Sequence, residues 1–151
     1  MSEGSRYVKN FDAWYEHKKK IDEQNHEPVY FREGEVWFTY VGVNVGFEID
    51  GTNKEFSRPV VILRKYNKYS FLALPLTTRS SANKYKIYIG EIGSKDSFAV
   101  VSQIRNLDSR RLYQKIGNLG QSRLEALREE VFALQCTNHQ RISPRGREGE
   151  P

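Results

Sequence analysis

The chain has 151 residues, a formal net charge of +5 and 38% hydrophobic side chains, which fits one compact domain with a modest core. Its single cysteine, Cys136, excludes an intrachain disulfide and points to a reducing compartment. No apolar run approaches the ~18 residues that cross a bilayer, so a soluble, cytoplasmic protein is expected. Residues 30–134 hold sixteen Lys/Arg against eleven Asp/Glu, whereas residues 1–29 are nearly balanced. The basic excess therefore sits in the body of the chain and suits a polyanionic partner, although a solvated basic surface would look the same on charge alone.

In chain order, residues 1–9 read as a frayed end. A helix follows from Asn10, whose side chain can cap it. Asp12 suits the positive end of the helix dipole, and Phe11, Trp14 and Ile21 share a face. Glu27-Pro28 closes that helix, which is expected to cover part of the domain. The first strong strand is Gly34–Val41. Residues 42–57 form a polar loop with three glycines and an Asp50-Gly51 turn, longer than the ~12–15 residues usual for structureless connections. Loops of that size are often functional and mobile.

The apolar run Phe56–Leu63 carries Arg58-Pro59 at its start. A second run, Tyr69–Leu76, ends on the hydroxyl pair Thr77-Thr78. The short connector Tyr66-Asn67-Lys68 returns the second run antiparallel to the first, which brings Arg58 and Thr77 to the same open end of a hairpin. A fixed cation beside a neutral hydroxyl makes an anion site without histidine or carboxylate. Considered alone, such an arginine is equally an ion-pair partner or a surface charge.

Further strands are expected at Tyr85–Ile89, Ser97–Ile104 and Lys115–Leu119, with a helical turn over Leu107–Leu112 capped by Asp108. Ser122-Arg123-Leu124-Glu125 has the form of a capping box. Beyond it Leu124, Leu127, Val131 and Leu134 make one apolar stripe of a C-terminal helix. The architecture is a β-rich α+β fold, a compact antiparallel barrel or strongly bent sheet with one helix before it and one after. The expected divisions are an N-terminal helical extension (1–29), a barrel domain (30–134) and a disordered tail (135–151) rich in charge, Pro and Gly.

Several chemistries lack the residues they need. His17, His26 and His139 have no zinc-like spacing. Cys136 and His139 adjoin the floppy end, and no Gly-rich stretch opens a helix as a phosphate loop would. No metal and no cofactor are expected.

Gly34-Glu35-Val36-Trp37, Arg58-Pro59-Val60-Val61, Leu74-Pro75-Leu76-Thr77-Thr78, Val101-Ser102-Gln103-Ile104-Arg105 with Asp108, and Lys115-Ile116-Gly117-Asn118-Leu119 occur in the order seen in MazF/PemK-type toxins, which the chain resembles over about residues 31–134. The resemblance implies an SH3-like barrel with a C-terminal helix, a homodimer holding single-stranded RNA, and a cognate antitoxin protein. It implies metal-independent cleavage in which the ribose 2′-OH attacks the adjacent phosphate, leaving 2′,3′-cyclic phosphate and 5′-OH ends. Carried over by motif, Arg58 and Thr77 are the catalytic pair. Phe47, Glu48, Thr78, Arg79, Gln103 and Arg105 are the RNA-binding set; Arg79, Lys84 and Lys86 offer a basic path for the RNA backbone, although for the two lysines a merely solvated strand face is the expected reading. The chain reads Gly46-Phe47-Glu48 where the family commonly has Gly-Ser-Glu, and Ser102 where an acidic residue is common. Both departures bear on which sequence is cut. The rivals are a CcdB-like gyrase poison on a similar barrel and an RNA-binding barrel without cleavage.

Overall fold

The computed structural model describes residues 7–25 and 27–137. Seven antiparallel strands form one strongly curled sheet: β1 (Glu35–Tyr40), β2 (Ser57–Lys65), β3 (Ser70–Thr77), β4 (Lys86–Ile92), β5 (Lys95–Val100), β6 (Arg105–Asp108) and β7 (Leu112–Asn118). Helix α1 (Phe11–Glu23) precedes them and α2 (Gln121–Cys136) follows. The lateral order is β4-β5-β3-β2-β1-β7. β3 bends the sheet by serving two neighbours on one edge. Its first half, Ser70 to Ala73, pairs with β6, and Leu76 and Thr77 pair with β5. This is the β-rich α+β barrel-like architecture expected from the sequence, with its two flanking helices.

The run Val60-Val61-Ile62-Leu63 is apolar without alternation because β2 is buried on both faces. Val61 and Leu63 join Leu74, Leu76, Val36 and the α2 residues Leu124, Leu127 and Val131 in one core. Val60 and Ile62 face the other way, against Phe31, Trp37, Phe71 and Leu107. Filling both sides fixes register, since a slip by one residue would exchange the two cores. Leu134 packs at the edge of the first core, completing the stripe read from the sequence.

Several expectations need correction. α2 starts at Gln121 without a side-chain cap. Gly120 enters it at φ 80°, its N–H held by the Asn118 side chain at 2.8 Å. Ser122 therefore lies inside the first turn, and Glu125 pairs with Gln121 rather than closing a capping box. The helix runs on through Gln135 and Cys136, so these first two residues of the segment assigned as a tail (135–151) are helical; residues 138–151 lie outside the described residues, as do 1–6 and His26. The strand read over Ser97–Ile104 is β5 followed by a 3₁₀ turn at Val101–Gln103. The turn lets the chain leave β5 and re-pair along β3 as β6. The turn capped by Asp108 is present as a 3₁₀ turn, with Asp108 accepting from the Arg110 N–H at 2.8 Å. α1 begins as expected, Asn10 accepting from the Ala13 N–H at 3.1 Å, but ends at Glu23, well before Glu27-Pro28. Trp14 and Ile21 are buried while Phe11 is exposed. Among the described residues, no helix is long and apolar enough to cross a membrane.

Candidate functional site

The β2–β3 register places Val60 opposite Pro75 and Val61 opposite Leu74. Carried two residues further toward the open end, that register sets Arg58 level with Thr77, and Arg58 reaches the neighbouring Leu76 carbonyl. The structure thus brings together the two groups that the sequence placed there. Both line a cleft of about 1100 Å³. Arg58 pairs with Thr39 of β1, and Thr77 with Phe98 of β5, so each residue is held in register by a neighbouring strand.

The Arg58 guanidinium is oriented by main-chain carbonyls. Nε donates to the Asp50 carbonyl at 2.8 Å and Nη1 to the Leu76 carbonyl at 3.2 Å. Neither bond uses a carboxylate, and among the described residues no direct ion pair compensates the charge and no hydrogen bond engages Nη2. Burial pulls its pKa down from the ordinary arginine value; Asp50 opposes that shift and Arg79 adds to it. The group remains a cation at any working pH. Thr77 Oγ1 accepts from the Arg79 N–H at 3.2 Å. With one lone pair occupied, its hydroxyl hydrogen is free to donate toward the cleft.

Arg79, Lys86 and Lys95 join Arg58 in the lining, against one carboxylate, Asp50. Thr78, Phe38 and Phe47 also line it, and the Phe47 ring is wholly exposed. A cation-rich cleft with an exposed aromatic at its rim suits a phosphodiester chain carrying planar bases.

The far wall is the segment 42–56. It is a folded element whose hydrogen bonds are satisfied from within and from distant parts of the chain. Asn44 Nδ2 donates to the Val41 and Ile49 carbonyls, and the Asn44 N–H donates to Asp50 Oδ1 at 2.6 Å. Gly42 and Phe56 are joined at the loop's neck. Gln103 clamps it from the barrel: Oε1 accepts from the Ile49 N–H and Nε2 donates to the Phe47 carbonyl, each at 3.0 Å. Gln103 lines the cleft, but its amide is committed to the loop. Thr78, Arg79 and Phe47 reach the cleft as expected. Glu48 and Arg105 do not line it. The Glu48 carboxylate folds back on the Val45 N–H at 2.9 Å. Arg105 is drawn under the loop toward the Val41 carbonyl, where burial lowers its pKa and Glu48 opposes that shift. Lys86 lines the cleft and its Nζ donates to Ser81 Oγ at 2.6 Å. Lys84 lies outside the cleft, over the Tyr85 ring.

Sequence reasoning missed the N-terminal contribution. Residues 7–9, read as frayed, are docked. The Tyr7 hydroxyl donates to Asp50 Oδ2 at 3.1 Å and its ring lines the cleft. Lys9 Nζ donates to the carbonyls of Asn44 and Gly46. Behind them α1 lays Trp14 flat on Gly42, where a Cβ would strike the indole ring and where φ is 82°. Trp14 and Ile21 share a small core with Val43, flanked by Tyr40 and Phe56. The available signal was Gly42 followed by Val43 at the neck of the loop, a gap beside an apolar side chain that something must fill.

Among the described residues no group of three His, Cys, Asp or Glu side chains is arranged to hold a metal ion.

The sequence profile of the PemK-like, MazF-like toxins of type II toxin–antitoxin systems matches residues 32–134. The chain belongs to that family. Among solved structures it is similar to a MazF from Deinococcus radiodurans, at 17% identity and a TM-score of 0.53, covering 75% of this chain and 100% of that one. It is similar to an endoribonuclease from a mycobacterial species solved in complex with its cognate antitoxin, at 14% identity and a TM-score of 0.52, covering 72% and 99%. A third is the Mycobacterium tuberculosis toxin MazF-mt6, at 16% identity and a TM-score of 0.50, covering 65% and 92%. At these identities the likeness is one of fold. Among proteins with curated descriptions, none matches significantly.

Proposed function

We propose that this toxin is an endoribonuclease that cuts single-stranded RNA with its own side chains as the catalytic groups. The observation that carries the reading is the presence of Arg58 and Thr77 in one basic cleft, with the guanidinium aimed by two carbonyls and, among the described residues, in no ion pair with a carboxylate. The ribose 2′-oxygen attacks the adjacent phosphorus. The new 2′-O–P bond forms as the P–O5′ bond breaks, the 2′ proton leaves to solvent, and the departing 5′-oxygen takes a proton. The products are a 2′,3′-cyclic phosphate and a 5′-hydroxyl.

Arg58 supplies charge that strengthens its hold as negative charge grows on the phosphoryl oxygens. It is too weak an acid to act as the base. Thr77 donates to a phosphoryl oxygen or aligns the 2′-oxygen, and the remaining rate comes from orientation. Arg79, Lys86 and Lys95 track the backbone while Phe47 offers a face to a base. In the same reading the toxin works as a homodimer, with RNA held across the two copies and a cognate antitoxin competing for that surface. The mycobacterial endoribonuclease solved with its cognate antitoxin supports an antitoxin partner by analogy.

The test is cleavage of an unstructured RNA in excess EDTA. Wild type is expected to cut, and Arg58→Ala to lose about 100-fold or more in rate, the scale of removing one transition-state donor. Binding without cutting by wild type would reduce the protein to an RNA-binding barrel. Gyrase-dependent DNA breaks without RNA cleavage would make it a gyrase poison.

A further inference from the structure

The segment ahead of the family-matched region is built into the site. Residues Tyr7 and Lys9 precede the match, which begins at residue 32, yet they touch the cleft wall directly. Lys9 Nζ lies 2.5 Å from the Asn44 carbonyl, 3.0 Å from the Gly46 carbonyl and 3.4 Å from Asp50 Oδ2. Three electronegative groups of one loop converge on a single ammonium. Tyr7 adds a second donor to the same carboxylate oxygen, and the Asn44 N–H holds the other oxygen.

Asp50 is the hub. Its side chain is mostly buried and receives Lys9, Tyr7 and Asn44. Its main-chain carbonyl receives Arg58 Nε at 2.8 Å. The N-terminal arm thus grips the Asp50 side chain, the Gly51 N–H holds the following peptide on the Gly42 carbonyl at 2.8 Å, and the carbonyl of that peptide aims the arginine. Gln103 secures the loop from the barrel side at Phe47 and Ile49, but among the described residues the Asp50 carboxylate has no hydrogen bond or ion pair from a barrel side chain. Without Lys9, the carbonyls of Asn44 and Gly46 lose their shared donor and the Asp50 carboxylate keeps only the neutral donors Tyr7 and Asn44 N–H, so repulsion among the three groups loosens that end of the loop.

We propose that Lys9 is a positioning residue for cleavage: it locks the 44–50 segment through Asp50 and thereby sets the direction of the Arg58 guanidinium. This rests on the ribonuclease reading above for its catalytic consequence, though not for the structural link. A misaimed guanidinium penalises the transition state more than it penalises RNA binding.

The experiment compares full-length wild type, Lys9→Met, Lys9→Arg and Lys20→Met. Lys20 lies exposed on α1, away from the cleft, so its loss removes one positive charge without touching the loop. Two quantities are read: kcat and KM on unstructured RNA, and solvent exchange of the Arg58 Nε–H by NMR on arginine-labelled protein. Lys9→Met is expected to lose about ten- to a hundredfold in kcat with little change in KM, and to exchange the Arg58 Nε–H faster. Lys9→Arg should restore most of both, and Lys20→Met should match wild type. An unchanged kcat with unchanged Nε–H protection would overturn the proposal. So would a KM increase alone that high salt abolishes, since Lys9 would then be a simple phosphate contact. If wild type cuts no RNA, the ribonuclease reading fails, and the exchange measurement alone decides: faster exchange in Lys9→Met upholds the link from Lys9 to Arg58, unchanged exchange refutes it. Thermal melting of each variant identifies any that fails to fold; if Lys9→Met does not fold, the same comparison on Lys9→Gln decides.

Discussion

Two walls of the same cleft are held in different ways. The β2–β3 wall, which carries Arg58 and Thr77, is positioned by burial. Its strands are apolar on both faces, and moving either residue means shearing two cores. The 42–56 wall is positioned by hydrogen bonds and one small apolar cluster, and its braces come from Lys9 and Gln103, far apart in the chain. Burial gives one wall a fixed geometry, while polar braces give the other a geometry that single side chains can alter. Placing the proposed catalytic pair on the first and the exposed Phe47 on the second separates what must not move from what can be tuned.

The largest expected effect breaks the first wall. Leu74 is fully buried between β2, α2 and its neighbours, so Leu74→Ala should cost about 2–5 kcal/mol in stability, measured by denaturant unfolding. RNA cleavage should fall only in proportion to the protein unfolded. An intermediate effect loosens the second wall. In Gly42→Ala a methyl group meets the Trp14 ring at a position with φ 82°, which should cost about 1–3 kcal/mol. The loss should show as a shift in indole fluorescence that survives in Trp37→Phe, while the β2–β3 amides keep their exchange protection. Loss of protection throughout would mean that the two walls are not separable.

The smallest effect concerns the entrance to β1. Burial alone would push the Glu35 carboxyl up, but hydrogen bonds from the Trp37 indole, the Arg32 N–H and Lys115 outweigh it and hold its pKa below the ordinary carboxylate value. A carboxyl lowered in the folded state stabilises above its unfolded pKa, and that contribution is lost as pH falls through the folded one. The melting-temperature gap between wild type and Glu35→Gln should therefore be widest near neutrality and shrink in acid. A gap independent of pH would remove Glu35 from the acid response.

How much of this was legible in the sequence follows the same division. The hairpin, the α2 stripe and the meeting of Arg58 with Thr77 could be read because apolar runs and a short connector encode them locally. Arg58-Pro59 and Thr77-Thr78 also carry a recognisable family pattern. The docking of Tyr7 and Lys9 could not, because a lysine reaching two carbonyls 35 and 37 residues away leaves no periodicity. Gln103 and Glu48 were placed in the right neighbourhood, but their turn inward, to the loop's own backbone, depends on where a long loop folds. The α2 start was misread for a related reason. Ser122 and Glu125 have the spacing of a cap, but Gly120 and Asn118 had already turned the chain into the helix.

The central claim is that Arg58 and Thr77 act on a phosphodiester whose own ribose supplies the nucleophile. The most direct measurement is cleavage of a short single-stranded RNA with one cut site, compared with the same strand carrying a 2′-deoxyribose at that site, with end-group analysis of the products. The account predicts 2′,3′-cyclic phosphate and 5′-hydroxyl ends from the RNA and no cut at the deoxy position. Cleavage of the deoxy strand, or products ending in 5′-phosphate and 3′-hydroxyl, would contradict it.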